Sequence, residues 1–154
     1  AGGMKRAERF LTGGDRVMVS MNKARVRPNE VEHMRFVGSE EAVRGRTVAI
    51  VDDIIDTSGT IVKAAAHLKE MGASRVSAVI THGVLSGPAL DRIRSSEGLD
   101  ELVITDSTCP DEQSLPDKIS VISCSKVLAV AVDRLLNNSS VRALNDSAGA
   151  AVNS

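Results

Sequence analysis

The residues best suited to chemistry follow an apolar run at residues 48–51. Two acids, Asp52 and Asp53, come directly after that run, and a turn and a helix pattern follow. The turn is rich in acidic and hydroxyl side chains and holds one glycine: Asp56, Thr57, Ser58, Gly59 and Thr60. A turn of this kind at a helix start exposes several backbone N–H groups beside about half a positive charge from the helix dipole. The pattern therefore predicts an anion-binding site, to which the hydroxyls add donors and at which the glycine permits close backbone approach.

The two consecutive acids are expected to differ in role, because side chains alternate along a strand. One of Asp52 and Asp53 would bind sugar hydroxyls or a metal-bound water, and the other would brace the loop. The alternative is that the acids only cap the helix or sit solvated in the turn. The buried strand in front of them and the Thr-Ser-Gly-Thr turn behind them favour the anion site.

The elements around this run alternate between strands and helices. Runs of β-branched residues predict strands at residues 17–20, 47–51, 76–80, 102–105 and 119–123. Apolar residues at helical spacing predict helices over residues 4–11, 61–71, 88–94 and 127–135. This alternation predicts an α/β fold, with a mostly parallel sheet and helices on both faces. In such sheets ligands bind outside the carboxyl ends of the strands, where the acidic turn falls.

Two segments do not fit the alternation. Residues 22–37 are polar and basic and are interrupted by Pro28, so we expect a long, partly mobile excursion between the first two strands. The end of the chain is rich in Asn, Ser and Ala, and we expect residues 146–154 to form a disordered tail. The folded domain is therefore predicted over residues 1–145.

Composition narrows the classes of function. The 154 residues suit one domain with a real core, and no apolar run approaches the roughly 18 to 20 residues needed to cross a bilayer. A net charge of −1, with Phe10 and Phe36 as the aromatic residues, argues against nucleic-acid binding. Cys109 and Cys124 form no CxxC pair, and the three histidines are too scattered for a metal site. Without a secretory signal pattern, these features predict a cytoplasmic protein with no membrane and no nucleic-acid partner.

The run at residues 51–60 resembles the phosphoribosyl diphosphate (PRPP) binding loop of type I phosphoribosyltransferase folds. The rest of the chain resembles one family that shares this loop, the ribose-phosphate pyrophosphokinases, or PRPP synthetases. Residues 22–38 resemble their flexible catalytic loop, and residues 81–87 and 105–110 resemble two later strand-end motifs. The resemblance covers about residues 1–145 and implies a phosphoribosyltransferase-like C-terminal domain of a two-domain synthetase, whose N-terminal domain lies outside this chain.

The resemblance implies a reaction and a role for each residue. In that family the β,γ-diphosphoryl group of ATP passes to the anomeric hydroxyl of ribose 5-phosphate, which gives PRPP and AMP. Lys23 and Arg25 would act as catalytic residues over the ATP phosphates. Asp52 and Asp53 would hold the ribose hydroxyls and, through water, Mg²⁺, with no firm direct metal ligand in this chain. The 5-phosphate would be held by Asp56, Thr57, Ser58, Gly59 and Thr60.

The resemblance also implies a cofactor, a co-substrate and an assembly. Mg²⁺ would be the cofactor, ATP the co-substrate, and the protein would self-associate as the family's hexamer of dimers. A catalytic loop that closes would exclude water and limit ATP hydrolysis. Alone, this chain is expected to bind ribose 5-phosphate weakly and to lack synthetase activity.

Three departures from the family pattern matter. Ala24 stands where a second basic residue is usual. The opening Ala-Gly-Gly resembles the start of the family's second domain, but the chain begins at Ala1, without the Asp that comes before that alanine in the family. Ser58 stands where glycine is frequent, and serine fits there only if its backbone avoids positive φ.

Two other functions stay open on the sequence. A stand-alone phosphoribosyltransferase shares the acidic loop, but it needs a base-recognition hood and usually an aromatic side chain to stack on the base. A non-catalytic regulatory subunit associated with a synthetase would keep the fold and lose the loop chemistry, which Ala24 and Ser58 allow. Lys23 and Arg25 argue for the enzyme.

Overall fold

The computed structural model describes residues 20–24, 33–37, 40–142 and 144. The strands in these residues are β1 (Ser20–Ala24), β2 (His33–Val37), β3 (Thr47–Ile55), β4 (Arg75–Gly83), β5 (Glu101–Thr105) and β6 (Ile119–Ile122). The α-helices are α1 (Gly59–Glu70), α2 (Ala89–Ser95) and α3 (Ser125–Leu136). Short 3-10 turns at Glu40–Ala42, Asp106–Thr108 and Glu112–Ser114 complete the described elements.

The last four strands form one sheet in the order β3-β4-β5-β6, and every neighbouring pair is parallel. The predicted α/β class and the mostly parallel sheet are therefore confirmed. Because all four strands run in the same direction, their carboxyl ends lie at one edge of the sheet.

The strand before the acidic turn is longer than predicted. β3 continues through Asp52 and Asp53 to Ile55, because Asp52 pairs with Ile80 and Ile55 pairs with Gly83 of the equally extended β4. The prediction that the strand ends at residue 51 is therefore wrong. Backbone pairing with β4 outweighs the low strand preference of aspartate.

The core lies on one face of the sheet. Alternate residues of β4 and β5 that point to this face are 0–1% exposed: Val76, Ala78, Ile80, Leu102 and Ile104. They belong to one cluster with Ile61, Ala65 and Leu68 of α1 and Ile93 of α2. Because α1 contacts β3, β4 and α2, both of these helices cover the same face. Residues 4–11, the first predicted helix, lie outside the described residues, so helix cover of the other face stays a prediction.

The helix predictions over residues 61–71 and 88–94 are confirmed as α1 and α2. α1 ends at Glu70, and Gly72 behind it has φ +90°, the left-handed conformation that commonly follows a helix end. This glycine therefore ends α1.

The polar segment contains more structure than predicted. β1 and β2 form a two-stranded antiparallel sheet, in which Ser20 pairs with Val37 and Ala24 with His33. The long excursion predicted over residues 22–37 thus contains strand at both of its ends, which the sequence pattern did not predict. Antiparallel pairing satisfies backbone groups whatever the side-chain polarity, and Phe36 and Val37 favour strands. Residues 25–32, between the two strands, lie outside the described residues, as do residues 17–19 of the first predicted strand.

The chain divides into two compact units, residues 1–122 and 123–154. The second unit contains α3, which confirms the helix predicted over residues 127–135. The predicted tail at residues 146–154 lies outside the described residues. None of the described helices is long and apolar enough to cross a membrane.

Candidate anion-binding site

The loop after β3, residues 56–60, leads directly into α1. Its central residue, Ser58, precedes the helix in the left-handed conformation, with φ 63° and ψ −5°. A left-handed residue beside right-handed helical residues gathers successive backbone N–H groups into a concave nest that suits anions. The condition under which serine fits this position is therefore not met, and the Ser58 backbone is strained.

The backbone N–H donors of this loop are open, meaning that no group in the described residues pairs with them. Within the described part of the chain, the N–H groups of residues 57–61 make no hydrogen bond to another residue. The first bond into the helix is donated by the Val62 N–H to the Ser58 carbonyl at 3.0 Å. These unpaired N–H groups and the dipole of the 12-residue helix α1 together provide the backbone features that suit an anion.

The loop hydroxyls face different surroundings. Thr57 and Thr60 are exposed, and neither hydroxyl has a partner among the described residues. The Ser58 residue is 4% exposed, and its Oγ is shielded from solvent with no hydrogen-bond partner. The threonine hydroxyls are therefore available to an anion, whereas Ser58 offers its backbone N–H.

The acceptors at the start of the loop are fixed by the supporting segment, residues 84–92, which follows β4. Two backbone N–H groups of this segment donate to the Ile55 carbonyl at 2.9 and 3.3 Å. The Ser86 hydroxyl donates to the Asp56 carboxylate. Asp56 thus uses one carboxylate oxygen inside the protein, where it holds the loop against the supporting segment.

Arg92 makes the next contact along the loop. Its guanidinium Nη1 donates to the Thr57 carbonyl oxygen at 2.8 Å. The same Nη1 lies 3.4 Å from the point that a Cβ on Gly59 would occupy. Arg92 and Ser86 are the site residues that sequence reasoning missed, because contacts between residues 30 or more positions apart cannot be read from a single sequence. The one available signal was the strand-end motif at residues 81–87.

Asp52 and Asp53 are both half-buried near the carboxyl end of β3. Asp52 lies in register with Ile80, whose side chain belongs to the core. The Asp53 N–H donates to Asp52 Oδ1 at 2.9 Å. Because neighbouring side chains in a strand leave on opposite faces, the two carboxylates face opposite sides of the sheet. The expectation that one of them binds sugar hydroxyls or a metal-bound water while the other braces the loop stays a prediction.

The structure does not show the two predicted catalytic residues, Lys23 and Arg25, at this loop. Lys23 lies in β1, where it pairs with Met34 of β2. Arg25 lies outside the described residues. Their roles over ATP therefore stay predictions.

The neighbouring strand ends form a second hydroxyl-rich loop, residues 105–109. His82 Nδ1 lies 2.8 Å from Ser107 Oγ, and the Thr105 hydroxyl lies 2.7 Å from the Thr81 carbonyl oxygen. Thr108 donates to the Gly83 carbonyl at 2.8 Å. His82 therefore holds this loop by hydrogen bonding.

Among the residues with described positions, no group of three or more His, Cys, Asp or Glu side chains could hold a metal ion. The pKa shift that stands out belongs to Asp100, at the opposite edge of the sheet. Hydrogen bonds from Lys69 and from the Val76 N–H hold the pKa of that carboxyl below its ordinary value. The loop at residues 56–60 is therefore distinguished by its backbone N–H groups, which are unpaired in the described part of the chain.

The comparison with known protein families finds a match over most of the chain. The model of the phosphoribosyl synthetase-associated domain matches residues 12–145. This chain belongs to that family. The phosphoribosyl synthetase-associated domain covers β1 to α3, including the whole loop at residues 56–60.

Individual relatives agree with this assignment. Ribose-phosphate pyrophosphokinase of Campylobacter jejuni is 46% identical over 143 residues, which are 93% of this chain and 44% of that protein. The same enzyme of Bacillus caldolyticus is 42% identical over 145 residues, which are 94% of this chain and 45% of that protein. The crystal structure of phosphoribosylpyrophosphate synthetase from Mycobacterium smegmatis is similar with a TM-score of 0.61 and 36% identity, over 69% of this chain and 34% of that chain.

The chain thus spans about half the length of the curated relatives it matches. The resemblance to the PRPP synthetase family and to its phosphoribosyltransferase-type fold is confirmed.

Proposed function

We propose that this chain supplies the ribose 5-phosphate site of a ribose-phosphate diphosphokinase, which forms PRPP and AMP from ATP and ribose 5-phosphate. The observation that carries the proposal is the loop at residues 56–60, whose backbone N–H groups are open at the start of α1. Two relatives above 40% identity are named ribose-phosphate pyrophosphokinase, which supports the choice of ligand.

The loop is suited to the terminal phosphate of the sugar. Its N–H groups and the Thr57 and Thr60 hydroxyls would donate to phosphate oxygens, while Asp56 keeps the loop in place through Ser86. A carboxylate aimed at a phosphate would repel it, so the bond from Ser86 gives Asp56 a role compatible with the anion. The phosphate anchors the sugar so that its anomeric end lies away from the helix start.

Asp52 and Asp53 would hold the ribose hydroxyls beside the loop. Carboxylate oxygens suit Mg²⁺, which usually binds proteins through one or two carboxylates with water and substrate phosphates completing its shell. When bound, the ion would neutralise charge on the transferring diphosphoryl group. Lys23 and Arg25 would stabilise the same charge from the β1–β2 region, since phosphoryl-type transfers depend chiefly on positioning and charge.

The family resemblance also supports self-association and a cytoplasmic location for the working enzyme. Both belong to this proposal, together with the use of ATP and Mg²⁺.

The first test is binding of ribose 5-phosphate, ribose and inorganic phosphate to this chain by isothermal titration calorimetry. We expect ribose 5-phosphate to bind more tightly than either fragment, because the loop and the acids contact different ends of it. Equal affinity for ribose and ribose 5-phosphate would overturn the proposal.

The second test addresses the reaction. The matching 143 residues of the Campylobacter jejuni relative are replaced by this chain, and AMP and PRPP formation are measured with Mg²⁺. We expect an active hybrid that loses about 10²- to 10³-fold in rate on Lys23→Ala, the usual effect of removing one preorganised charge donor. Lys126→Ala in α3 is the matched control, expected to keep the rate. A folded hybrid that binds ribose 5-phosphate but makes no PRPP would favour the non-catalytic regulatory subunit.

A further inference from the structure

Hydrogen bonds from the supporting segment go to oxygen atoms of the residues that enter the loop at residues 56–60. Each of the three residues that enter the loop, Ile55, Asp56 and Thr57, has an oxygen that accepts a bond from the supporting segment. The N–H groups of the next residues, 58–61, have no partner in the described part of the chain. The supporting segment therefore contacts the acceptors of the loop and leaves its donors open.

The bond from Arg92 acts at the boundary between these two sets. The peptide between Thr57 and Ser58 is trans and planar, so its carbonyl and its N–H point in opposite directions. Nη1 of Arg92 holds the Thr57 carbonyl on the side of α2. The Ser58 N–H is thereby directed away from α2.

Ser58 is also the residue that most needs this support. It occupies the left-handed region at φ 63°, and its side chain makes no capping hydrogen bond. A non-glycine residue in that region is held there by its surroundings rather than by its own preference. The guanidinium of Arg92 donates to the carbonyl of the peptide that precedes it.

We propose that Arg92 is a positioning residue for the anion site, which orients the Ser58 N–H toward the phosphate by fixing the Thr57 carbonyl. Ser86 plays a weaker part of the same kind through Asp56. The choice of ribose 5-phosphate as the ligand rests on the proposed function, whereas the effect of Arg92 on the loop does not.

The test compares three variants of the full chain. Arg92→Gln removes the charge-assisted bond, Arg92→Lys keeps a cationic donor, and Arg94→Gln changes an arginine two positions along the same helix that instead pairs with Asp91 at 2.8 Å. The affinity for ribose 5-phosphate is measured by calorimetry. The amide signals of Ser58 and Gly59 are recorded by ¹H–¹⁵N NMR without ligand, and thermal unfolding shows that each variant is folded.

We expect Arg92→Gln to weaken binding by about tenfold, the usual scale for loss of a hydrogen bond to a charged group. Arg92→Lys should recover most of the loss, and Arg94→Gln should leave the affinity unchanged. The Ser58 and Gly59 amide signals should shift in Arg92→Gln, remain close to the parent in Arg92→Lys and stay unmoved in Arg94→Gln. This combination differs from a general loss of stability, which would not single out those two amides.

Unchanged affinity and unchanged amide signals in Arg92→Gln would overturn the inference while ribose 5-phosphate binding by the parent chain still stands. If the parent chain fails to bind ribose 5-phosphate, the proposed function is wrong, and the amide signals alone decide the role of Arg92. Shifted Ser58 and Gly59 signals then support it, and unmoved signals overturn it.

Discussion

Two loops at the carboxyl edge of the sheet have nearly the same composition and opposite hydrogen bonding. The loop at residues 56–60 reads Asp-Thr-Ser-Gly-Thr, and the loop at residues 105–109 reads Thr-Asp-Ser-Thr-Cys. In the second loop, all three hydroxyls lie within hydrogen-bond distance of described groups, on Thr81, His82 and Gly83 among others. In the first loop, no hydroxyl has a partner among the described residues.

The difference comes from the element at the end of each loop. A long helix begins at Gly59 and leaves its first N–H groups unpaired, whereas residues 106–108 form a single 3-10 turn capped by the Thr105 side chain. Composition alone therefore does not distinguish a binding loop from a structural one. The distinction depends on whether the polar groups of the loop are already used within the protein.

A negative charge placed in the loop at residues 56–60 gives the strongest test of the difference between the two loops. Gly59→Asp should weaken ribose 5-phosphate binding by about 10²-fold, because like charges about 4 Å apart near a surface repel by about 1 to 4 kcal/mol. Stability should hold or rise, since an acid in the first helical turn contributes about 0.3 to 1 kcal/mol. Calorimetric titration and urea unfolding measure the two effects.

Gly59→Ala is the matched control for that charge. The new methyl group would meet Arg92 Nη1 at an ordinary 3.4 Å, so its effect on affinity should be limited to the close backbone approach that glycine permits and should stay far below that of the aspartate. Full affinity in Gly59→Asp would show that the anion binds elsewhere.

A pair of isosteric changes tests the two loops against each other. Thr105→Val should lower the free energy of unfolding by about 1 kcal/mol, because the hydroxyl that caps Ser107 and contacts the Thr81 carbonyl is lost. Its affinity for ribose 5-phosphate should not change. Thr60→Val should do the reverse, with unchanged stability and an affinity reduced about tenfold by the loss of one hydrogen bond to the charged phosphate.

Urea unfolding measures the stability of both variants, and calorimetry measures their affinity for ribose 5-phosphate. Equal stability losses in Thr105→Val and Thr60→Val would contradict the division between a used and an open loop.

Much of the fold was accessible from the sequence because the informative patterns are local. The apolar runs at residues 48–51 and 76–80 and the helical stripe ending near Gly72 identify βαβ units without any long-range knowledge. The acidic turn could also be placed at the carboxyl edge, since parallel strands all end there.

The rest depends on pairings that no local pattern contains. The extension of β3 to Ile55 requires β4 as a neighbour, and the β1–β2 sheet joins residues on either side of a basic segment. The roles of Ser86 and Arg92 depend on contacts with residues 30 or more positions away. The left-handed backbone of Ser58 was the least predictable feature, because serine is a poor choice for that conformation.

This strained serine gives a smaller test of the open loop. Ser58→Gly should raise the free energy of unfolding by about 1 kcal/mol relative to Ser58→Ala, because glycine adopts the left-handed region without the Cβ penalty. The alanine variant also loses the buried, unpartnered hydroxyl, so the comparison isolates the backbone. Both variants keep the Ser58 N–H, and their affinities for ribose 5-phosphate should match that of the parent. Equal stability of the two variants, measured by urea unfolding, would contradict the strain.

The smallest expected effect concerns the opposite edge of the sheet, where charges are paired within the protein. Asp100 Oδ2 lies 2.8 Å from Lys69 Nζ and accepts the Val76 N–H at 2.6 Å. Both partners hold the pKa of Asp100 below its ordinary 3.8, so the carboxylate stabilises the fold above that pH. The contribution is lost as the pH falls through the lowered pKa in the folded state.

Asp100→Asn should therefore lower the free energy of unfolding at pH 7, and the difference from the parent should shrink as the pH falls below about 4. The side chain is 35% exposed, so solvent screening limits the effect to less than about 1 kcal/mol. Lys69→Met should reproduce part of the loss at pH 7, because it removes the main partner. Neither variant should alter ribose 5-phosphate binding, since the charges at this edge are used in folding while the donors at the other edge are left for a ligand. A pH-independent difference between Asp100→Asn and the parent, measured by urea unfolding from pH 3 to pH 7, would contradict the ionic role.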